Sequence, residues 1–286
     1  MSIGITSVPS IGVTTRARES RARPRGSDGM RWSIGGRSSN VEDRRGQRAF
    51  GGLGAGRLGI GGLVILLVLS LIFRKDFFSL VSGGAAAPAG EERLVDFVSF
   101  VFDTTQSTWS QIFAQRGARY QNAKLVLFRD AVQSACGFAQ AATGPFYCPG
   151  DHKVYIDLGF YDELHSRFGA PGDFAQPYVL AHEVGHHVQN LLGDRFGTSN
   201  EGSVRRELQA DCFAGVWGNY MSRAGVLEGG DVEEGLGAAA AIGDDRLQRM
   251  STGTISPESF THGTSAQREA WFRRGLESGR LESCRT

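Results

Sequence analysis

From Glu91 onward, apolar positions recur with two different periods. Leu94, Phe97, Val98, Val101, Phe102, Trp109 and Ile112 keep to one stripe at helical spacing, which predicts one or two helices between Glu91 and Arg116. Ala123-Lys124-Leu125-Val126-Leu127-Phe128 and Lys153-Val154-Tyr155-Ile156-Asp157-Leu158 are short runs rich in branched and aromatic residues, and read as strands. Between them, Gly144-Pro145-Phe146-Tyr147-Cys148-Pro149-Gly150 must turn. Tyr178, Val179, Leu180, Val184, Val188, Leu191 and Leu192 then make one segment apolar on more than one side, with Pro177 in its first turn and Gly193 as a C-terminal cap. Such a helix runs through a core. A further helix is expected over Ser203–Asp211, after Thr198-Ser199-Asn200-Glu201, which fits a capping box. Strands first and helices afterwards predict an α+β domain, mostly helical with a small sheet, over residues 91–286.

The first ninety residues follow another pattern. Residues 58–73 contain no charged residue and are flanked by Arg57, Arg74 and Lys75, whose long side chains can reach the interfaces of a bilayer. They are expected to form one transmembrane helix within residues 58–78, with residues 79–90 as a Gly- and Ala-rich linker. Residues 1–57 carry eleven Arg, no Lys and four acids, and have the composition of a disordered basic tail. That tail bears a net +7, so the rest of the chain bears −6 beneath an overall charge of +1. The positive-inside rule uses the arginines to hold the N-terminus in the cytoplasm, which removes the need for a nucleic-acid partner and puts the domain outside the cytoplasm. All four cysteines lie beyond the apolar run, as oxidation outside the cytoplasm requires. Of three possible pairings, Cys136 with Cys148 and Cys212 with Cys284 are favoured, the first closing a short loop and the second pinning the C-terminus to a helix.

The chemistry concentrates in His182-Glu183-Val184-Gly185-His186. Residues four apart share a helix face, so the two imidazoles can grip one zinc ion while Glu183, one position along, reaches a water on it. Burying these groups without a partner would be costly. A catalytic zinc site needs a third protein ligand. Glu207 and Asp211 are again four apart; Glu207 is assigned to the metal, and Asp211 to the free ring nitrogen of a ligand histidine. His187 points about a quarter turn away and is expected to pack or face solvent.

Ala181-His182-Glu183-Val184-Gly185-His186-His187-Val188-Gln189, followed by Glu207-Leu208-Gln209-Ala210-Asp211-Cys212, resembles the neutral zinc metallopeptidase family of bacterial membrane-anchored proteins. The resemblance extends through residues 144–149, 154–158 and Thr261-His262-Gly263-Thr264-Ser265, and back to Met30-Arg31-Trp32 and Asn40-Val41-Glu42-Asp43-Arg44-Arg45. It implies a zincin-like fold, with His182, His186 and Glu207 as ligands, Glu183 as catalytic glutamate, and a bacterial cytoplasmic membrane as the location. Residues 1–29 lie outside it, so Met30 is expected to be the physiological start or the first 29 residues to be dispensable.

Amide hydrolysis of a peptide or protein substrate is the expected reaction, with Glu183 taking the proton from the attacking water. His262 is a candidate donor to the developing oxyanion, or else a tie between the C-terminal helix and the core. The strand at residues 154–158 could pair with an extended substrate. The rival reading is a non-catalytic envelope protein that binds or scaffolds around a structural or relic zinc site. The oligomeric state and the substrate sequence are not encoded in any of these motifs.

Overall fold

A computed structural model describes residues 30–33, 37–47, 91–140, 144–161, 174–193 and 195–286. The expected transmembrane helix at 58–78 and linker at 79–90 lie outside the described residues, as do residues 1–29. Among the described residues no helix is long and apolar enough to cross a membrane.

A four-stranded sheet comprises β1 (Val41–Asp43), β2 (Lys124–Phe128), β6 (Lys153–Asp157) and β5 (Phe146–Cys148), in the order β1-β2-β6-β5. The first three run parallel and β5 closes the sheet antiparallel to β6. Between β2 and β5 a separate hairpin forms from β3 (Ala131–Ser134) and β4 (Gly137–Gln140). Central strands covered on both faces need continuous apolar runs, which explains the sequence of β2. Leu125 and Leu127 face the helices with Val154 and Ile156, while Val126 and Phe128 face the hairpin side with Val132, Cys148 and Tyr155.

Among the described residues the main helices are α1 (Glu92–Ala114), α2 (Ala175–Leu192), α3 (Asn200–Arg223), α4 (Asp231–Ala241), α5 (Asp244–Thr252) and α6 (Ser265–Ser278). Trp109 of α1 meets Phe213 of α3 edge to face at 5.1 Å, and Phe174 stacks on Trp217 at 5.8 Å, so large aromatic rings fill the centre of the helical layer. α3 and α6 touch backbone to backbone: a Cβ at Gly215 would sit 2.0 Å from the Phe272 carbonyl oxygen, and one at Gly275 would sit 1.9 Å from that of Cys212. The arrangement is α+β, mostly helical with a small sheet, as the periodicities predict. Both favoured cysteine pairs are disulfides, with Cα–Cα separations of 5.8 Å for Cys136–Cys148 and 5.6 Å for Cys212–Cys284.

Three expectations need correction. Residues 37–47, assigned to a disordered tail, supply β1 and its flanks, and Met30 and Trp32 pack in the core. The strand at 153–157 is interior, paired on both sides, so it offers no edge to a substrate; β5 is the edge strand on that side. At α3 the cap is Ser199, whose hydroxyl accepts from the Gly202 amide at 3.1 Å, and Glu201 stands one position short of completing a box. The complete capping box belongs to α6, between Thr264 and Gln267.

Candidate metal centre

The motif lies in the middle of α2, where His182 and Glu183 are buried. Gly185, between Glu183 and His186, faces α3 so closely that a Cβ there would stand 3.0 Å from the Ala210 carbonyl oxygen. This absence of a side chain lets α3 approach and present Glu207 to the histidines. Its carboxylate oxygens lie 3.1 Å from His182 Nε2 and 3.4 Å from His186 Nε2.

Those distances test the fit of an ion. Two ligands about 2.0–2.1 Å from a tetrahedral zinc stand about 3.3 Å apart. Ligand atoms of all three residues lie within 4.8 Å of one another, and two imidazole nitrogens with one carboxylate form a donor set suited to zinc. Among the described residues, this is the one group of three or more His, Cys, Asp or Glu side chains close enough to hold an ion.

Each histidine is fixed from behind. The Asp211 carboxylate accepts from His182 Nδ1 at 2.7 Å, as the i,i+4 pairing with Glu207 predicts. Gln189 Oε1 does the same for His186 Nδ1 at 2.9 Å, while the Gln189 amide donates to the Arg206 carbonyl at 2.7 Å. With their Nδ1 protons engaged in this way, both rings turn Nε2 toward Glu207. Burial opposes charge on His182, but the neighbouring Asp211 and then Glu207 outweigh it and raise its pKa to about 10. His186 is raised as well, with Glu207 overcoming burial. Burial alone would lift Glu207, yet His186 and His182 hold it well below the usual carboxylate range. A cation among these groups takes the place of imidazole protons, so metal binding is coupled to proton release.

Arg268 and Tyr178 complete the support and were not anticipated. Arg268 is fully buried and grips both Asp211 oxygens at 2.9 Å, through Nε to Oδ2 and a terminal nitrogen to Oδ1. The Tyr178 hydroxyl donates to Asp211 Oδ1 at 2.6 Å. Burial would raise the Asp211 pKa, but Arg268 and His182 keep it low. The signal was present in sequence terms: Arg268, Phe272 and Gly275 form the buried i, i+4, i+7 stripe of α6. An arginine on such a stripe calls for a buried acid.

Glu183 sits one position round the helix from His182, 7% exposed, and no hydrogen bond from a described residue engages its carboxylate. His187 is fully buried and takes no part in the cluster. His262 is half exposed; its Nδ1 bonds Asp244 at 3.0 Å and its partners do not include His182, His186 or Glu207. It ties the loop before α6 to the start of α5. The proline at 257 begins a single 3-10 turn, Pro257–Ser259.

A family model described as "Putative neutral zinc metallopeptidase" matches residues 30–286. The chain belongs to that family. It is 48% identical over 283 residues to the uncharacterized Escherichia coli protein YpfJ, an alignment covering 90% of this chain and 98% of that protein. An uncharacterized Mycobacterium tuberculosis protein is 45% identical over 185 residues, covering 58% of this chain and 63% of its own length. No solved structure matches. Zinc is the cofactor expected of this family.

Proposed function

We propose that this chain is a zinc metallopeptidase that hydrolyses peptide bonds with Glu183 as general base. One observation carries the reading: the Nε2 atoms of His182 and His186 converge on Glu207 at 3.1 and 3.4 Å, while Asp211 and Gln189 hold the opposite ring nitrogens. Three side chains of metal-binding type converge among the described residues rather than four, which suits a site that keeps a position for water or substrate. Zinc bound there would lower the pKa of its water toward about 7 and polarise the scissile carbonyl. Glu183, on the adjacent helix position, takes the proton from the attacking water and returns it to the leaving amine. A structural site would have no use for such a base.

Among the described residues no strand pairs with the outer edge of β5, the antiparallel edge of a sheet packed against α2, and it suits alignment of an extended peptide. A zincin-like fold is consistent with a motif helix lying under such an edge. The pairing of all four cysteines favours placement outside the bacterial cytoplasm, with residues 58–73 attaching the protein to the cytoplasmic membrane.

The Glu183→Gln variant of the full chain tests the mechanism. It should keep its zinc while turnover on a peptide library falls by about 10²–10⁴. Undiminished hydrolysis by this variant would contradict the role of Glu183, and loss of its zinc would contradict the assignment of Glu183 outside the ligand set.

A further inference from the structure

The segment before the apolar run is part of the catalytic domain. β1 pairs in parallel with β2 over Val41–Leu125, Glu42–Val126 and Asp43–Leu127, extended by Arg44 N to Leu127 O at 2.8 Å and Leu125 N to Asn40 O at 2.8 Å. The Ser38 hydroxyl donates to Asp103 of α1 at 2.5 Å, and Trp32 packs on Phe97 of α1 with centroids 5.2 Å apart. The Arg31 amide donates to the Val226 carbonyl at 2.7 Å, beyond the end of α3. The sheet, the first helix and the segment after the third helix thus hold residues 30–33 and 37–47.

The two ends of the intervening stretch meet. Arg45, whose side chain is 1% exposed, bonds Glu91 at 3.0 Å and Glu92 at 3.1 Å at the start of α1. Arg45 and Glu91, on either side of residues 48–90, therefore lie side by side. A single crossing would separate them by a hydrocarbon core of about 30 Å. Returning would take two crossings and about 40 predominantly apolar residues, whereas the uncharged run spans only residues 58–73, followed at once by Arg74, Lys75 and Asp76.

The charge argument for a crossing also weakens. Within about fifteen residues of each end of the run, four arginines precede it (Arg44, Arg45, Arg48 and Arg57) and two basic residues, Arg74 and Lys75, follow. Arg44 is paired with Glu42, and Arg45 with Asp43, Glu91 and Glu92. Both arginines are thus built into the folded domain, and apart from them two basic residues stand on each side of the run.

We propose that residues 30–47 share the compartment of the catalytic domain, so that the chain makes no net crossing between Gln47 and Glu91. The N-terminal segment is then a partner of the domain instead of a cytoplasmic tail. This replaces the single-pass orientation and is independent of whether the metal centre is catalytic.

Labelling of the full-length protein in spheroplasts with a membrane-impermeant maleimide tests it. Ser39→Cys and Glu277→Cys, made singly, place a thiol at exposed positions in the N-terminal segment and on α6. Both should label equally before permeabilisation. Labelling of Glu277→Cys with protection of Ser39→Cys until the membrane is opened would overturn the proposal. Protection of both would uphold the shared side while contradicting placement outside the cytoplasm. An epitope ahead of Met1, digested by added protease in the same spheroplasts, gives the same comparison without altering the sheet.

Discussion

His186 and His187 are neighbours in sequence and opposite in chemistry. His186 turns Nε2 toward the Glu207 carboxylate and has its Nδ1 held by Gln189, so its free electron pair faces the cluster. His187, a quarter turn away, faces the sheet, where Nε2 donates to the Gln121 carbonyl at 2.6 Å and Nδ1 accepts from the Tyr147 hydroxyl at 3.0 Å. Both its nitrogens are therefore used by groups that do not bind metals. Burial, with His152 adding to it, pushes the His187 pKa down, while Glu207 raises that of His186 against the same burial. The carboxylate beside a buried histidine is what suits it to hold a metal, and helix phase decides which histidine receives one.

The sharpest way to break this contrast is to remove each ring in turn. His186→Ala should abolish zinc binding and with it all turnover. His187→Ala should keep zinc and lower stability by about 1–3 kcal/mol in denaturant unfolding, since the Gln121 carbonyl and the Tyr147 hydroxyl lose a buried partner. Equal zinc loss in the two variants would dissolve the distinction.

The supporting groups should rank next. Arg268→Met leaves Asp211 as an uncompensated buried carboxylate and should cost about 3–5 kcal/mol, read from the urea midpoint of the metal-free protein. Asp211→Asn keeps the shape but weakens the hold on His182 Nδ1, and zinc affinity measured by chelator competition should fall about 10–100-fold. A larger fall from Asp211→Asn than from His186→Ala would reverse the assigned roles.

The smallest effect concerns pH. Burial would lift Asp244, but His262 and the amides around it hold its carboxyl below the usual range. A carboxylate depressed in the folded state stabilises fully above its ordinary pKa, and that contribution disappears as pH falls through the lower folded value. His262→Asn should therefore shrink the acid-dependent part of the unfolding curve while leaving zinc content unchanged. Loss of zinc in this variant would return His262 to the active centre.

How much of this was legible in the sequence follows from the range of each interaction. The His182–His186 pair, Glu207 and Asp211 could be read because helix geometry fixes neighbours three and four residues apart, and the central strands because burial on both faces demands apolar runs. β1 could not: Val-Glu-Asp is three residues long, mostly polar, and owes its strand conformation to β2, more than eighty residues away. Arg268 was hidden by the 57 residues separating it from Asp211. Gln189, three positions after His186 on the same face, was within reach of the helical argument and was passed over because an amide resembles an ordinary polar residue.

The account depends most on Glu207, the proposed ligand that no short motif announces. Metal content of the purified full-length chain, compared with its Glu207→Ala variant by mass spectrometry under native conditions, tests it directly. The account predicts one zinc per chain in the parent and none in the variant. A metal-free parent, or a variant that retains its full complement of zinc, would contradict it.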